Sequence, residues 1–519
     1  MSPERAPRRW LILAVLCTVL LTVVLDNAIL FVAVPSLTGD LGASTAQTQW
    51  MISAYSLAMG GLLIAAGGLA DRYGRRRALL LGIVLFGLGS LCAALAQSPA
   101  QVIASRAAMG VGAAFLMSCT LAVIVRVFDD ESRPRAIAVW TAVSSAGVAG
   151  GPVIGGFLLQ HFWWGSVFLI NVPVAAVGLL ATVLFVPESR DPSGDRPDLM
   201  GGVLSALGIV LLVWAVTSSE RHSWGSAQVY LPALLGVVFV VAFCLWERRV
   251  ASPMLDLSLF AKPQFRGAVL GGLLAAFGLG GSLFLLTQDL QLVLGYSPLE
   301  AGLRTTPLAL TLLVVSSTVS VRVSRRLGAP ATMVTGMALV AAGLVAVSAS
   351  TSSHSYPVVL VGLILFGAGS GLVAPVAATA LMSAIPPDRA GSGSGVNGTL
   401  QELGNSIGVS VLGVVLLSRF AAELPGGFDS HDASSYEAAT RAAQQGPHPR
   451  ELLHTVQDAF SAGLATSQLV GAAAVLLGGV VAGLLLKKAE RAVTVPAQPT
   501  GPAPVDESAR TARAQQEES

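Results

Sequence analysis

The reading of this 519-residue chain turns on residues 67–77, Gly67-Gly68-Leu69-Ala70-Asp71-Arg72-Tyr73-Gly74-Arg75-Arg76-Arg77. They lie between two apolar runs, roughly 48–66 and 78–96, each long enough to cross a bilayer. Four arginines and an aspartate in eleven residues do not sit in hydrocarbon, where a single charge costs about 2.5–3.5 kcal/mol at mid-depth. The stretch therefore reads as a very short loop at a membrane face. Arginine-rich short loops stay on the cytoplasmic side, which orients every other segment. Asp71 is placed to accept from a helix N-terminus or to pair with an arginine. The glycines let two helices approach closely while the chain reverses.

Composition agrees. The chain is 53% hydrophobic and only 12% charged, against about 25% charged in soluble domains, so it is read as an integral membrane protein. Lysine occurs only at 262, 487 and 488. None follows the glycine pattern of a phosphate-cradling loop, so no ATP site of that kind is expected and uphill transport would draw on an ion gradient or a separate ATPase subunit. Cys17, Cys92, Cys119 and Cys244 all fall in apolar runs and read as small buried hydrophobes rather than disulfides or metal ligands. The first apolar run follows Arg5, Arg8 and Arg9 like a signal peptide, but it is too long and carries Asp26, so it is expected to stay as a first span.

Apolar runs of about 20 residues number fourteen: roughly 10–34, 48–66, 78–96, 102–126, 136–159, 165–186, 200–218, 229–246, 267–293, 300–320, 331–349, 357–381, 393–417 and 465–486. With both termini cytoplasmic, lysine and arginine favour the inside loops over the outside loops by about six to one. The expected division is a cytoplasmic N-terminus, 1–9; a six-helix bundle, 10–187; a linker with two inserted helices, 188–265; a second six-helix bundle, 266–486; and a disordered cytoplasmic tail, 487–519. Residues 419–463 form one long extracytoplasmic loop with helical patterns near 435–443 and 452–464. A weak internal repeat is visible: Ser320-Val321-Arg322-Val323-Ser324-Arg325-Arg326-Leu327-Gly328 stands in the second half where residues 67–77 stand in the first, as expected of two halves around a midplane site.

The pattern Gly-x-Leu-Ala-Asp-Arg-x-Gly-Arg-Arg-Arg, with Gly67, Asp71, Arg72, Gly74, Arg75 and Arg76, resembles the loop between helices 2 and 3 of the major facilitator superfamily. Four further stretches resemble its fourteen-span drug:proton antiporter branch. Leu25-Asp26 through Pro35 is similar to the first-span motif, with Ala28 and Phe31 in place of the usual Thr and Asn. Arg106 in Ala104–Ala114 is similar to the fourth-span Arg-x-x-Gln-Gly, with Met109 for the glutamine. Gly147, Gly151, Pro152, Gly155 and Gly156 match the fifth-span Gly-x-x-x-Gly-Pro-x-x-Gly-Gly found in the antiporters and absent from the symporters. Trp164 with Phe168–Pro173 resembles the start of the branch's sixth span. The resemblance implies export by alternating access, with protons as the coupling ion and no cofactor.

Among individual residues, Asp26 is the sharpest. A carboxyl group at membrane depth is costly and suited to exchanging a proton. Arg106, which stays charged, is its expected partner, and their pairing would make proton release depend on conformation. Glycines at 147, 151 and 155 fall on one helix face and form a packing seam, which Pro152 bends. Asp289 and Glu402, at positions the family often fills with neutral residues, are candidate substrate or second-proton sites, with Gln288, Gln291 and Asn405 as neutral hydrogen-bonding groups around a substrate. Arg304 is an alternative partner for one of these acids. The six histidines read as solvated groups in outside loops. No metal cluster, nucleophile–base pair or nucleic-acid partner is expected, so an enzyme is disfavoured. The expected function is proton-coupled export of small lipophilic molecules, lipophilic cations among them, across the cytoplasmic membrane. The alternatives are a dedicated exporter of one self-made metabolite or antibiotic, and a membrane sensor that has lost transport. The partners are a small-molecule substrate and the lipid bilayer; the oligomeric state is left open, and a monomer is compatible with the sequence.

Overall fold

The computed structural model describes residues 5–129, 131–189, 198–219, 225–250, 253, 256–353, 355–385, 390–425, 428–429, 432–446 and 448–494. Among these the chain is helical almost throughout. The first half comprises α1 (Arg5–Leu41), α2 (Thr45–Tyr73), α3 (Arg75–Ala94), α4 (Pro99–Val127), α5 (Arg133–His161), α6 (Ser166–Leu169) and α7 (Asn171–Phe185). Two inserted helices follow, α8 (Leu199–Ser218) and α9 (Ala227–Glu247). The second half comprises α10 (Pro263–Gln288), α11 (Pro298–Val314), α12 (Ser320–Ser353), α13 (Tyr356–Ala384), α14 (Ala390–Glu423), the short α15 (Tyr436–Gln445) and α16 (Pro449–Thr494).

Thirteen helical runs among the described residues are long and apolar enough to span a membrane. One of them, Pro298–Ala349, has 52 residues. A straight helix of that length would reach about 78 Å, against a hydrocarbon core of about 30 Å. It bends back at Gly328, whose φ of 79° and ψ of 163° are non-helical, and so contributes two spans. The total is fourteen.

The turn that decides the fold is tighter than the sequence suggests. α2 stays helical through Asp71 and Arg72 to Tyr73, and α3 starts at Arg75, so the reversal falls on Gly74 alone, with φ 117°. Only glycine adopts such a φ without steric cost. The same correction applies in the second half, where Ser320–Leu327 is helix and Gly328 makes the break. Gly74 has no side chain to cap α3, and Glu188, just beyond α7, does so instead: its Oε1 accepts from the Arg76 N–H at 3.2 Å, while the Arg75 N–H donates to the Ser189 carbonyl at 2.9 Å.

α1 packs with α5 and α7, α4 with α2 and α3, α10 with α14 and α16, and α12 with α13 and α16. These are the two six-helix bundles. They meet along two seams, α2 against α14 and α5 against α11. α8 lies beside the first seam, touching α2 and α14 as well as α9. α9 exposes Leu234, Val237, Val238, Val241 and Leu245, an apolar surface fit for lipid.

The predicted loop 419–463 shrinks to a short connection. α14 extends to Glu423, α15 occupies the first predicted helical patch, and the second, 452–464, is the beginning of the 46-residue α16. α15 packs on α16, and the Thr45 hydroxyl at the start of α2 donates to the Ser434 carbonyl at 2.9 Å. His454 accordingly sits in a helix rather than a loop; His222, His354 and His431 lie outside the described residues. So does most of the polar linker, 190–197, and the tail beyond residue 494; Lys487 and Lys488, placed in the tail by sequence, belong to α16.

Candidate functional site

Between the two halves lies a cavity of about 1750 Å³. From the middle of the bundles, where Asn27, Tyr55, Leu283, Thr305, Glu402 and Asn405 line it, it runs to the end of the molecule marked by Asp71, Arg72, Arg75, Arg126 and Arg133. At the opposite end, called here the far end, the halves are closed. A Cβ added to Gly302 of α11 would collide with the Pro152 carbonyl of α5, and one on Gly156 would lie 2.5 Å from the Pro298 carbonyl. Gln291 ties the same end, its Nε2 donating to the Val32 carbonyl of α1 at 3.0 Å.

The fifth-span glycines divide their work. Gly147, Gly151 and Gly155 face Val24, Ala28 and Ile29 of α1, inside the first bundle, whereas Pro152 and Gly156 face α11 of the other bundle. One face thus fixes α5 to α1, and the next forms the far-end seal. At the opposite end Asp71 Oδ1 pairs with Arg75 at 2.7 Å across the Gly74 turn, and the Arg76 guanidinium donates to the Val183 carbonyl of α7 at 2.5 Å.

Asp26 and Arg106 form an ion pair through Oδ2 and Nη1, with 2% and 0% of their surfaces exposed. Asn171, at the start of α7, donates to Asp26 Oδ1 at 2.8 Å and reaches Ser90 of α3 at 3.2 Å. Ser90 in turn donates to the Met109 sulfur at 3.7 Å. Met109, which replaces the family's glutamine, therefore still closes the network. Arg106 Nε donates to the Met51 carbonyl at 3.1 Å, and its guanidinium stacks on the Tyr55 ring at 4.1 Å. Neither Asp26 nor Arg106 lines the cavity, but Tyr55 does. Its hydroxyl donates to the Val23 carbonyl at 3.4 Å. Tyr55 is thus the side chain between the buried pair and the cavity. Neither it nor the Asn171 contact is foreseen from sequence; the signal available was the placement of Asn171 in the sixth-span resemblance.

Glu402 and Asn405 face the cavity from α14. The Glu402 Oε2 has no hydrogen-bond partner. Gly60 on α2 makes room for it: a Cβ there would be 2.9 Å from the Glu402 Cβ. Nearby, the Thr399 hydroxyl donates to the Gly60 carbonyl at 2.8 Å, so the acid sits on the α2–α14 seam. Gln401, one residue before it, also lines the cavity.

The other candidate substrate residues do not line the cavity. Asp289 is buried, in a π-helical turn (Asp289–Val293) that ends α10. Gln288 bonds the Phe284 carbonyl of its own helix at 3.3 Å, and Gln291 is spent on the far-end strut to Val32. Leu283 and Thr287 share the face of α10 that reaches the cavity, and at 3.6 residues per turn Gln288 and Asp289 point away from it. Arg304 partners neither acid: it stacks on Tyr296 at 3.7 Å and Tyr356 at 5.2 Å and pairs with Glu300 at 3.8 Å.

This geometry agrees with what the chain is similar to. The sequence profile of the Major Facilitator Superfamily matches residues 16–409. The multidrug efflux pump LfrA of Mycolicibacterium smegmatis is 35% identical over 497 residues, 94% of this chain and 98% of that protein. The cephamycin export protein CmcT of Amycolatopsis lactamdurans is 37% identical over 405 residues, covering 77% of this chain and 83% of its own length. Among solved structures, a bacterial homologue of the human lysosomal transporter Spinster, in an inward-facing, unoccupied conformation, superposes with a TM-score of 0.65 at 18% identity, over 95% of this chain and 100% of that one.

Proposed function

The chain belongs to the Major Facilitator Superfamily, a multi-pass cell-membrane transporter rather than an enzyme, and on that premise we propose that it is a proton-coupled antiporter exporting small lipophilic drugs or antibiotics, lipophilic cations included, by alternating access. The observation that carries this reading is the pairing of a large cavity with two separate acids. Glu402 stands in the cavity wall with an unpartnered oxygen, and Asp26 is sealed behind Tyr55 in an ion pair. An acid open to the cavity attracts a cationic centre, while the mostly apolar wall accepts the rest of such a molecule. Most ligand pockets measure about 300–1,000 Å³, so the larger space here suits several molecular shapes. Likeness to LfrA supports a drug as cargo.

The coupling follows from placement. With the far end shut and the arginine-rich end open, and with that end read as cytoplasmic on the arginine bias, we read this arrangement as the state that loads substrate from inside. A proton reaching Asp26 from the outside releases Arg106 from its ion pair and leaves it stacked on Tyr55, against the cavity wall. Proton occupancy and cavity shape then change together. A membrane potential contributes about 2.3 kcal/mol per net charge moved per 100 mV and each pH unit about 1.4 kcal/mol. Exchange of one proton for one monovalent cation moves no net charge, so each pH unit sustains about a tenfold gradient of such a cation, and the potential adds to this for a neutral substrate.

The test is ethidium movement in inverted membrane vesicles, with and without an uncoupler, for wild type and Asp26→Asn. Transport abolished by either supports the reading. Uncoupler-sensitive transport persisting in Asp26→Asn removes Asp26 from the mechanism, and no ethidium transport by wild type points to a dedicated exporter.

A further inference from the structure

Asp289 is a buried acid that the transport reading leaves unused. It is 2% exposed, and neither carboxyl oxygen has a hydrogen-bond partner. It does not line the cavity, so a bound substrate does not reach it. It opens the π-helical turn Asp289–Val293, whose bonding departs from the α pattern: the Leu294 N–H reaches the Asp289 carbonyl at 2.9 Å. Such turns recur at functional positions. This one is part of the far-end seal. Gln291 donates from it to Val32 of α1 in the opposite half, and Gln457 of α16 donates to its Val293 carbonyl at 3.1 Å. α11 and α16 pack against it.

The charged groups on those elements do not compensate Asp289. Glu300 and Arg304 of α11 pair with each other, and Arg304 is also held between Tyr296 and Tyr356. The first turns of α16 carry Arg450, Glu451, His454 and Asp458, none of them hydrogen-bonded to Asp289. The nearest acid on α1 towards this end, Asp40, lies two turns beyond Val32, at the end of the helix. An ionised carboxylate with no partner in an apolar setting is expensive enough that the group holds a proton instead.

We propose that Asp289 is a proton-binding site that operates the far gate: its carboxyl carries a proton while the π-turn is sealed against α1, and ionises when that seal parts and water enters. The site exchanges its proton with the far compartment, because it lies in the far-end seal and does not line the cavity. It is therefore distinct from the coupling site at Asp26. The inference rests on the alternating-access reading. Its sign is fixed by linkage. The closed state binds the proton more tightly, so acidifying the far side favours closure. The closed-to-open ratio then rises by up to about tenfold per pH unit in the window where the open form is ionised and the closed form is not.

The test uses the full chain in lipid nanodiscs, with spin labels at Gln160 on α5 and Leu303 on α11, both exposed near the seal, and the label separation followed against pH. In wild type the closed separation should gain population as pH falls. Asp289→Asn and Asp289→Leu, which mimic the protonated form, should favour the closed separation and lose that part of the pH response. Variants that follow the wild-type curve overturn the proposal while leaving alternating access intact. Failure of both variants to fold also overturns it, since a site that is neutral when sealed tolerates a neutral side chain. A far end that stays shut in wild type at every pH overturns this inference and the alternating-access reading together.

Discussion

Replacing Arg106 by leucine isolates what the buried ion pair contributes. The substitution removes the pairing with Asp26, the 3.1 Å donation to the Met51 carbonyl and the stack on Tyr55. Asp26 is left 2% exposed with the Asn171 amide as its one remaining partner. Deleting one member of a buried pair leaves an uncompensated charge and costs about 3–5 kcal/mol. Asp26→Asn strands Arg106 in the same way, with only the Met51 carbonyl and the Tyr55 face, and falls in the same range. The double variant Asp26→Asn, Arg106→Leu strands neither charge. It should recover about 3 kcal/mol or more relative to the sum of the single losses, because contacting residues are non-additive. Denaturant-induced unfolding of the four purified proteins, followed by tryptophan fluorescence, gives the cycle. Three variants whose losses simply add would refute the ion pair as an energetic unit, and with it the argument that protonating Asp26 frees Arg106.

Three further outcomes follow from the geometry. Glu402→Gln keeps the side chain's shape and removes its charge, so binding of lipophilic cations should weaken about ten- to a hundredfold, as a lost charged contact of about 1.5–3 kcal/mol implies, while a neutral substrate binds as before; fluorescence-quenching titrations with both ligands decide, and equal losses for the two would count against a charge-recognition role. Gly302→Val places a side chain against the Pro152 carbonyl, a backbone atom with little freedom to yield, so the α5–α11 seal should part; a cysteine introduced at Val153 should label faster with an impermeant thiol reagent, and unchanged labelling would show that the seam is not the gate. Asp129, in the α4–α5 turn, is held down to about 2 by the Ser132 hydroxyl and by Arg9. Its contribution is present above about pH 4, the ordinary aspartate value, and is lost as pH falls through about 2; Asp129→Asn should remove that acid limb from the stability profile, and an unaltered limb would assign it to other carboxyls.

The parts legible in the sequence are those governed by composition and by single-residue chemistry. Fourteen apolar runs became fourteen spans because hydrocarbon thickness leaves little choice. Asp26 and Arg106 could be paired without coordinates because each is intolerable alone at that depth. The reversals at Gly74 and Gly328 fall within the stretches the sequence predicts but are shorter, since charged residues end the membrane without ending the helix. The cavity lining was the least legible. As isolated acids Asp289 and Glu402 read much alike, yet Asp289 lies off the face of α10 that Leu283 and Thr287 turn to the cavity, while Glu402 stands on the α2–α14 seam within the wall. Tyr55 carried no signal, because an aromatic in an apolar run reads as core until the Arg106 stack is seen.

The most direct measurement is made on purified protein in liposomes carrying an imposed pH gradient, with tetraphenylphosphonium and internal pH recorded together. The account predicts cation movement opposite to a stoichiometric proton flow, both absent in Asp26→Asn. Cation movement that proceeds without the gradient and without accompanying protons would contradict it.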